Sequence, residues 1–429
     1  MEKTVYDIWL SLAVVPGEDT FFKLRESFCD SEKIYSLEEK ELALVLGKKT
    51  SECKRLLDKD LTRAKKIYEF CKKHGVGILT YGDERFPTSL REIPTPPVLL
   101  YYRGVLPDFD ASFCVSVVGT RRLSKYGRRN AFSISYDLAS AGAVIVSGMA
   151  TGIDGVAHAG ALSAGGKTVA VLGSGIDVCY PIEHKTLARE IVKTGCVFTE
   201  YPPGTRPERF NFPKRNRIIS GLCATTLVIE GPERSGALIS ARHAAEQGRA
   251  VYALPGNVES KNSQLTNLLL KNGAKVCTSA DDIVRDFEKK YAGIINPFAL
   301  SQSKHPKMED VLSAYRVSAT SAEDDIFDTR PHRAARSSKK KISEAPQEPS
   351  VKTDSDVSDK KVKTEERTPV GFDERTLKIY KKIPRGGSCL IESLVDDEFS
   401  LRDVMRSLLK LEMGRFVKLL PGERVARNL

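Results

Sequence analysis

The sequence predicts an α/β protein built on a doubly wound parallel sheet, with a small helical domain before it and a winged-helix domain after it. Three observations predict the sheet. Between Phe113 and Leu254, short runs rich in β-branched residues alternate with amphipathic helical patterns. Glycine ends the first three of those runs, as Gly119, Gly148 and Gly173. A helix-length segment separates successive runs, which implies parallel crossovers. The ligand of such a sheet binds outside the carboxyl ends of its strands.

Taken in order, residues 1–75 read as short helices. Val5, Ile8, Leu12 and Val15 keep helical spacing until Val15-Pro16-Gly17 stops them, and Leu61 to Cys71 repeats the pattern. Residues 76–112 read as an irregular connector ending in a strand-like Val98 to Tyr102. Strands are then expected at 113–118, 144–147, 168–172, 197–201, 225–229 and 250–254. Helices lie between them, and two more follow at 265–271 and 280–287. The α/β domain spans 76–292. Residues 293–372 are rich in Ser, Lys, Glu, Asp and Pro, and read as a disordered charged linker. Residues 373–429 regain pattern: Leu377, Tyr380 and Ile383 on one helix, Val404, Leu408 and Leu411 on the next, then a strand and turn through Pro421-Gly422. Helices followed by a short hairpin suggest a winged helix.

The chain has 429 residues and a formal charge of +11. Residues 301–370 hold 14 Lys/Arg and 13 Asp/Glu, a net of +1, so about +10 lies elsewhere. That excess points to an anionic partner, most simply nucleic acid. No run of 18 apolar residues occurs, so no membrane span is expected. The apolar Ile8 to Val15 is short and preceded by Asp7, where a signal peptide carries positive charge. Nine scattered cysteines without a CxxC pair suit a reduced, cytoplasmic protein with no zinc site.

The stretch Arg209 to Glu230, RFNFPKRNRIISGLCATTLVIE, carries the most information. A basic loop ends in Phe212-Pro213, and a helix then opens with Lys214, Arg215, Asn216 and Arg217. A helix start offers free N–H groups and positive potential. Three cations there repel one another unless an anion arrives, the pattern of a phosphate-binding helix start; solvated cations on an ordinary helix are the alternative. Ile218, Ile219 and Leu222 define the apolar face. Arg217 falls off that face, toward solvent. Arg215 leans toward the helix start, and so into the crevice before it. The strand-end loops Gly119-Thr120-Arg121, Ser147 to Asp154 and Gly173 to Asp177 add glycines that let backbone N–H groups approach an anion. Arg121 adds a guanidinium fork. No GxGxxG or GxxxxGK[ST] fingerprint is present. No nucleophile, base and acid converge, and His158, His243, Asp154 and Asp177 read as structural. Neither enzymatic turnover nor a cofactor is expected.

The segments SGMATGID, LGSGIDVCYP, FNFPKRNRIISGL and SGALISARHAAEQGRAVYALPG, in this order and spacing, resemble the DprA (DNA-processing protein A, Smf) family. So does the ending Asn267–Leu270 to Lys271-Asn272-Gly273-Ala274. The resemblance is strong over residues 80–285 and weaker at both ends. It implies a Rossmann-like, single-stranded-DNA-binding protein that forms a homodimer, protects incoming DNA during natural transformation and helps load the RecA recombinase. Position by position, it implies DNA contacts from Arg121, from Ser147 and Gly148, and from Lys214, Arg215, Asn216 and Arg217. Phe212 is a candidate stacking platform, or equally a residue packed beneath the loop. The chain departs from the family in lacking a well-formed glycine hairpin near its amino terminus and in its long linker.

Two other functions compete. Rossmann-like phosphoribohydrolases, which cleave nucleoside monophosphates, carry PGGxGT before a helix with a glutamate. Here that stretch is Gly231-Pro232-Glu233-Arg234-Ser235-Gly236, and Glu246 comes late in the helix. A duplex-DNA regulator would use the second carboxyl-terminal helix, which offers Arg402, Arg406 and Lys410.

Overall fold

The computed structural model describes residues 3–28, 30–47, 51–315 and 374–427, the last with gaps at 385–387, 397, 400–402, 405–406, 409–410, 412–415 and 421–423. The chain divides into two units, Met1–Ala334 and Ala335–Leu429.

The first unit opens with helices α1 (Lys3–Ala13), α2 (Thr20–Ser27), α3 (Ser31–Ser36), α4 (Glu39–Leu46), α5 (Ser51–Leu57) and α6 (Thr62–Lys73). As expected, α1 stops before Pro16-Gly17, where Gly17 takes φ +81°. These helices are not freestanding. Val5, Ile8 and Trp9 share one apolar core with Leu99, Tyr101, Ala170 and Val197 of the sheet.

The sheet follows: β1 (Gly77–Thr80), helix α7 (Thr88–Arg91), β2 (Leu99–Gly104), β3 (Cys114–Val118), α8 (Lys125–Ser140), β4 (Val144–Ser147), α9 (Ile153–Ser163), β5 (Thr168–Val171), α10 (Lys185–Thr194) and β6 (Cys196–Thr199). Then come α11 (Asn211–Gly221), β7 (Thr225–Val228), α12 (Gly236–Glu246), β8 (Ala250–Ala253), α13 (Gln264–Lys271), β9 (Lys275–Val276) and α14 (Ala280–Phe287). The order is β1-β2-β6-β5-β4-β3-β7-β8-β9. Pairings from β6 through β9 are parallel; β1 with β2, and β2 with β6, are antiparallel. The winding reverses between β3 and β7, so the two strands diverge in connection at their carboxyl ends and open a crevice there.

Strands β3 to β7 are buried on both faces, which is why they read as continuous β-branched runs. Val115, Val117 and Ile145 face α8 and α9. Cys114, Val144 and Val146 face Ile218, Ile219 and Leu222 of α11, the face the spacing predicts.

Two readings need correction. The irregular connector of 76–112 contains β1, which pairs with β2 across about twenty residues; pairing of that range leaves no local periodicity. The linker begins later than residue 293. Helices α15 (Phe298–Ser301) and α16 (Met308–Ala314) turn back onto α8 and α9. Asn296 N–H donates to Ala141 O at 2.9 Å. Tyr136 Oη donates to the Lys304 carbonyl at 3.2 Å. Leu300, Met308, Val311 and Leu312 pack on the core. Arg330, Arg333, Arg336 and Lys339 to Lys341, a basic cluster of the charged stretch, lie outside the described residues.

The second unit contains α17 (Glu374–Lys382) and a three-stranded sheet of β10 (Ser388–Leu390), β11 (Val417–Leu420) and β12 (Arg424–Arg427), ordered β10-β12-β11. Ile379, Ile383, Leu394, Val404, Leu408 and Leu411 form its core. Arg402, Arg406 and Lys410 lie outside the described residues.

Candidate nucleic-acid interface

The crevice at the switch point is a cavity of about 660 Å³. Its walls are Gly119 to Arg121 after β3, Ala150 and Asp154 after β4, Tyr180, the start of α11, and Ser235-Gly236 at the start of α12.

Helix α11 begins at Asn211, two residues before Pro213. Lys214 to Arg217 therefore fill its second turn and not, as the sequence suggests, its opening one. Asn211 anchors that start: its Nδ2 donates to Gly173 O at 3.1 Å. Phe212 lies flat on the same loop. A Cβ on Gly173 would come within 2.9 Å of the ring, so glycine is required for this approach. The Arg121 guanidinium stands 5.2 Å from the Phe212 centroid, within cation–π range. Arg215 is at 5.9 Å and the Tyr180 ring at 5.7 Å. Phe212 thus packs on the loop and also carries an exposed cation of the site, Arg121.

Arg215 points into the crevice wall, as its position on the helix predicts, but is only 3% exposed. Its Nη1 donates to Gly148 O at 2.8 Å and also to Val171 O. Its Nε donates to Asn216 Oδ1 at 3.2 Å. A Cβ on Gly148 would fall 2.5 Å from Nη2, so Gly148 is what admits the arginine. Desolvation pushes the Arg215 pKa down to about 10, opposed by the nearby Asp154. Burial raises the Asp154 carboxyl, opposed mainly by Arg215. Arg215 is therefore a brace between the β4 and β5 ends that places charge at the cavity wall, while its donors are largely used by protein carbonyls.

The expectation for Arg217 fails. It is 3% exposed, and its Nη2 donates to both carboxylate oxygens of buried Glu200, at 2.7 and 2.8 Å. Helix α11 also packs against the turn after α1: a Cβ on Gly17 would lie 3.6 Å from Arg217 Nε. Ser147 is likewise withdrawn. It is fully buried, and its Oγ donates to Val117 O at 2.6 Å, which ties β4 to β3. Lys214 is half-buried, with Nζ 3.8 Å from Glu18. Asn216 Nδ2 donates to Gly236 O at 3.4 Å, linking α11 to the start of α12. Arg121 is exposed, and among the described residues it is in no salt bridge. Of the proposed contacts, the structure brings Arg121, Phe212, Arg215 and Asn216 to one cavity, sets Gly148 against the Arg215 guanidinium, and buries Arg217 and Ser147.

Sequence reasoning passed over Tyr180, Arg209 and Ser235, which also line the cavity. Among the described residues, Ser235 Oγ is buried without a hydrogen-bond partner at the start of α12. Tyr180 directly follows the glycine loop of β5, a position that could have singled it out.

His158, on α9, is structural as expected. Thr168 Oγ1 donates to Ile145 O and so accepts from His158 Nδ1–H at 2.7 Å. Burial, then the neighbouring His184 and Arg215, push its pKa down to about 3. The folded pKa is depressed, so the unfolded chain takes up the proton first. This stabilisation is complete above pH ~6.5 and is lost as pH falls from there toward 3. Between pH 7 and pH 5 it should cost about 2 kcal/mol. Unfolding free energies from urea titrations at the two pH values should converge by that amount in His158→Gln; an unchanged pH dependence would refute the assignment.

Fold and site together define an α/β protein with a ligand crevice at the switch point of a doubly wound sheet. Residues 77–288 match the family model for DNA recombination-mediator protein A, and the chain belongs to that family. It is 45% identical over 206 residues to DNA processing protein DprA of Streptococcus pneumoniae, spanning 48% of this chain and 72% of that one. It is 35% identical to DprA of Bacillus subtilis, over 53% of this chain and 76% of the relative. It is 41% identical to Protein Smf of Synechocystis sp., of which it spans 56%. The X-ray structure of the S. pneumoniae protein superposes with a TM-score of 0.59 at 36% identity, over 67% of this chain and 99% of that one. Among the described residues, no helix is long and apolar enough to cross a membrane.

Proposed function

We propose that the protein binds single-stranded DNA in the switch-point crevice, without turnover, and acts as a cytoplasmic recombination mediator. In this reading it protects incoming strands during natural transformation, works as a homodimer and hands its strand to RecA. The second unit serves as a winged-helix accessory. One observation carries the reading: Arg121 stands exposed over the Phe212 ring at the mouth of a cavity toward which the starts of α11 and α12 converge. A guanidinium and an aromatic face side by side suit a backbone phosphate and its base. Family membership and relatives named DNA processing proteins support the same reading.

The test is a salt-titrated binding assay on the full chain, with single-stranded and duplex DNA of equal length and nucleoside monophosphates followed in parallel for cleavage. Single strands should bind more tightly, nearly independently of sequence, with no cleavage. Equal affinity for duplex, or nucleotide turnover, would overturn the proposal. The excised stretch 77–292 is a poor substitute, because it would expose Leu99, Tyr101 and Val197, which the amino-terminal helices cover.

A further inference from the structure

Beside the crevice, the first turns of α8 carry charge for which the fold gives no reason. Between Asp110 and Asp137 the chain has no acidic residue, yet it holds Arg121, Arg122, Lys125, Arg128 and Arg129. All five are exposed, and among the described residues none is in a salt bridge. Lys125, Arg128 and Arg129 are spaced i, i+3, i+4 and share one side of the helix. They repel one another and the positive end of the helix dipole, so they cost stability unless an anion lies against them. Tyr126 sits among them, 47% exposed. Its hydroxyl donates to Pro255 O at 2.7 Å, which holds the ring at the surface.

The patch continues from the crevice. Arg121 lines the cavity. Three residues on, Ser124 Oγ donates to Glu230 at the end of β7. Arg122 O accepts from Asn262 Nδ2 at 3.0 Å, beside exposed Lys261. The start of α8 therefore crosses the carboxyl ends of β7 and β8, leading away from the cavity.

We propose that a single strand leaving the crevice runs over this patch, its phosphates against Arg122, Lys125, Arg128 and Arg129, with one base stacked on Tyr126. The proposal rests on the single-strand reading of the crevice. An unpaired strand fits better than duplex, because only an unpaired base offers its face to an exposed ring.

The test uses the full chain with oligothymidylates of about 4 and about 16 nucleotides, the span of single-strand sites. For the long strand, the combined variant K125A/R128A/R129A should lower the slope of log affinity against log salt by about 2, at about 0.7 per phosphate contact. Tyr126→Ala should weaken the long strand roughly 5- to 150-fold, and Tyr126→Phe should not. Binding of the short strand should stay at wild-type level in every variant, and the melting temperature of the triple variant should hold or rise. An unchanged slope with the long strand, or equal losses on both lengths, overturns the track. So does a wild-type protein that binds the short strand and gains nothing from the long one, and in that case the crevice reading survives. Binding of neither length overturns both.

Discussion

Glu200→Ala should destabilise the first unit by about 3–5 kcal/mol. Arg217 is buried beside Glu200, and the carboxylate is its partner through Nη2 alone. Among the described residues, its Nε and Nη1 are buried without hydrogen-bond partners. Removing the carboxylate would leave the buried guanidinium charge without its partner. Arg217→Ala should cost a similar amount by stranding Glu200. The double replacement E200Q/R217M should recover most of the loss, because it removes both charges and keeps much of the volume. Urea unfolding of the four proteins at pH 7 decides the matter. Single variants within about 1 kcal/mol of wild type would mean that the pair is open to solvent.

Arg121→Ala and Arg215→Ala should both abolish most single-strand binding, and for different reasons. Arg121 is exposed over Phe212 and is in no salt bridge among the described residues. Its loss should leave folding unchanged, lower the salt slope by about 0.7, and weaken binding to all sequences alike. A charge-assisted contact contributes about 1.5–3 kcal/mol, so affinity should fall about 10- to 150-fold. Arg215→Ala should lower the slope similarly. It should also lower stability by about 1–3 kcal/mol, since the carbonyls of Gly148 and Val171 lose a buried donor. Lysine should rescue each only in part, because it lacks the planar fork. Gly148→Ala, which displaces Arg215 by contact at 2.5 Å, should mimic Arg215→Ala. Wild-type affinity and salt slope in both arginine variants would place the DNA site elsewhere.

The centre of the sheet was legible because strands β3 to β7 are buried on both faces and glycine follows β3, β4 and β5. The apolar face of α11 was legible because Ile218, Ile219 and Leu222 pack into one continuous core with the sheet. Arg217 was not, because a helical projection sees only that apolar face, and the cover over Arg217 comes from residues around Gly17, about 200 positions away. Ser147 shows a related limit. A polar residue at a strand end reads as a ligand-facing group, and nothing local reveals that its hydroxyl is taken by Val117 O. The strand β1 and helices α15 and α16 escaped for the reason common to short elements: four to seven residues hold too little periodicity, and what stabilises them is contact with distant parts of the chain.

The shared core of the amino-terminal helices bears on how the protein is made. Synthesis delivers α1 first, but Ile8 and Trp9 are completed by Leu99, Tyr101, Ala170 and Val197. The last of these leaves the ribosome almost two hundred residues after α1. At about 5–20 residues per second, that leaves an apolar helix surface uncovered for roughly ten seconds or more. The nascent chain thus passes through a long window in which its leading segment is a target for chaperones, and its final folding step waits for β6.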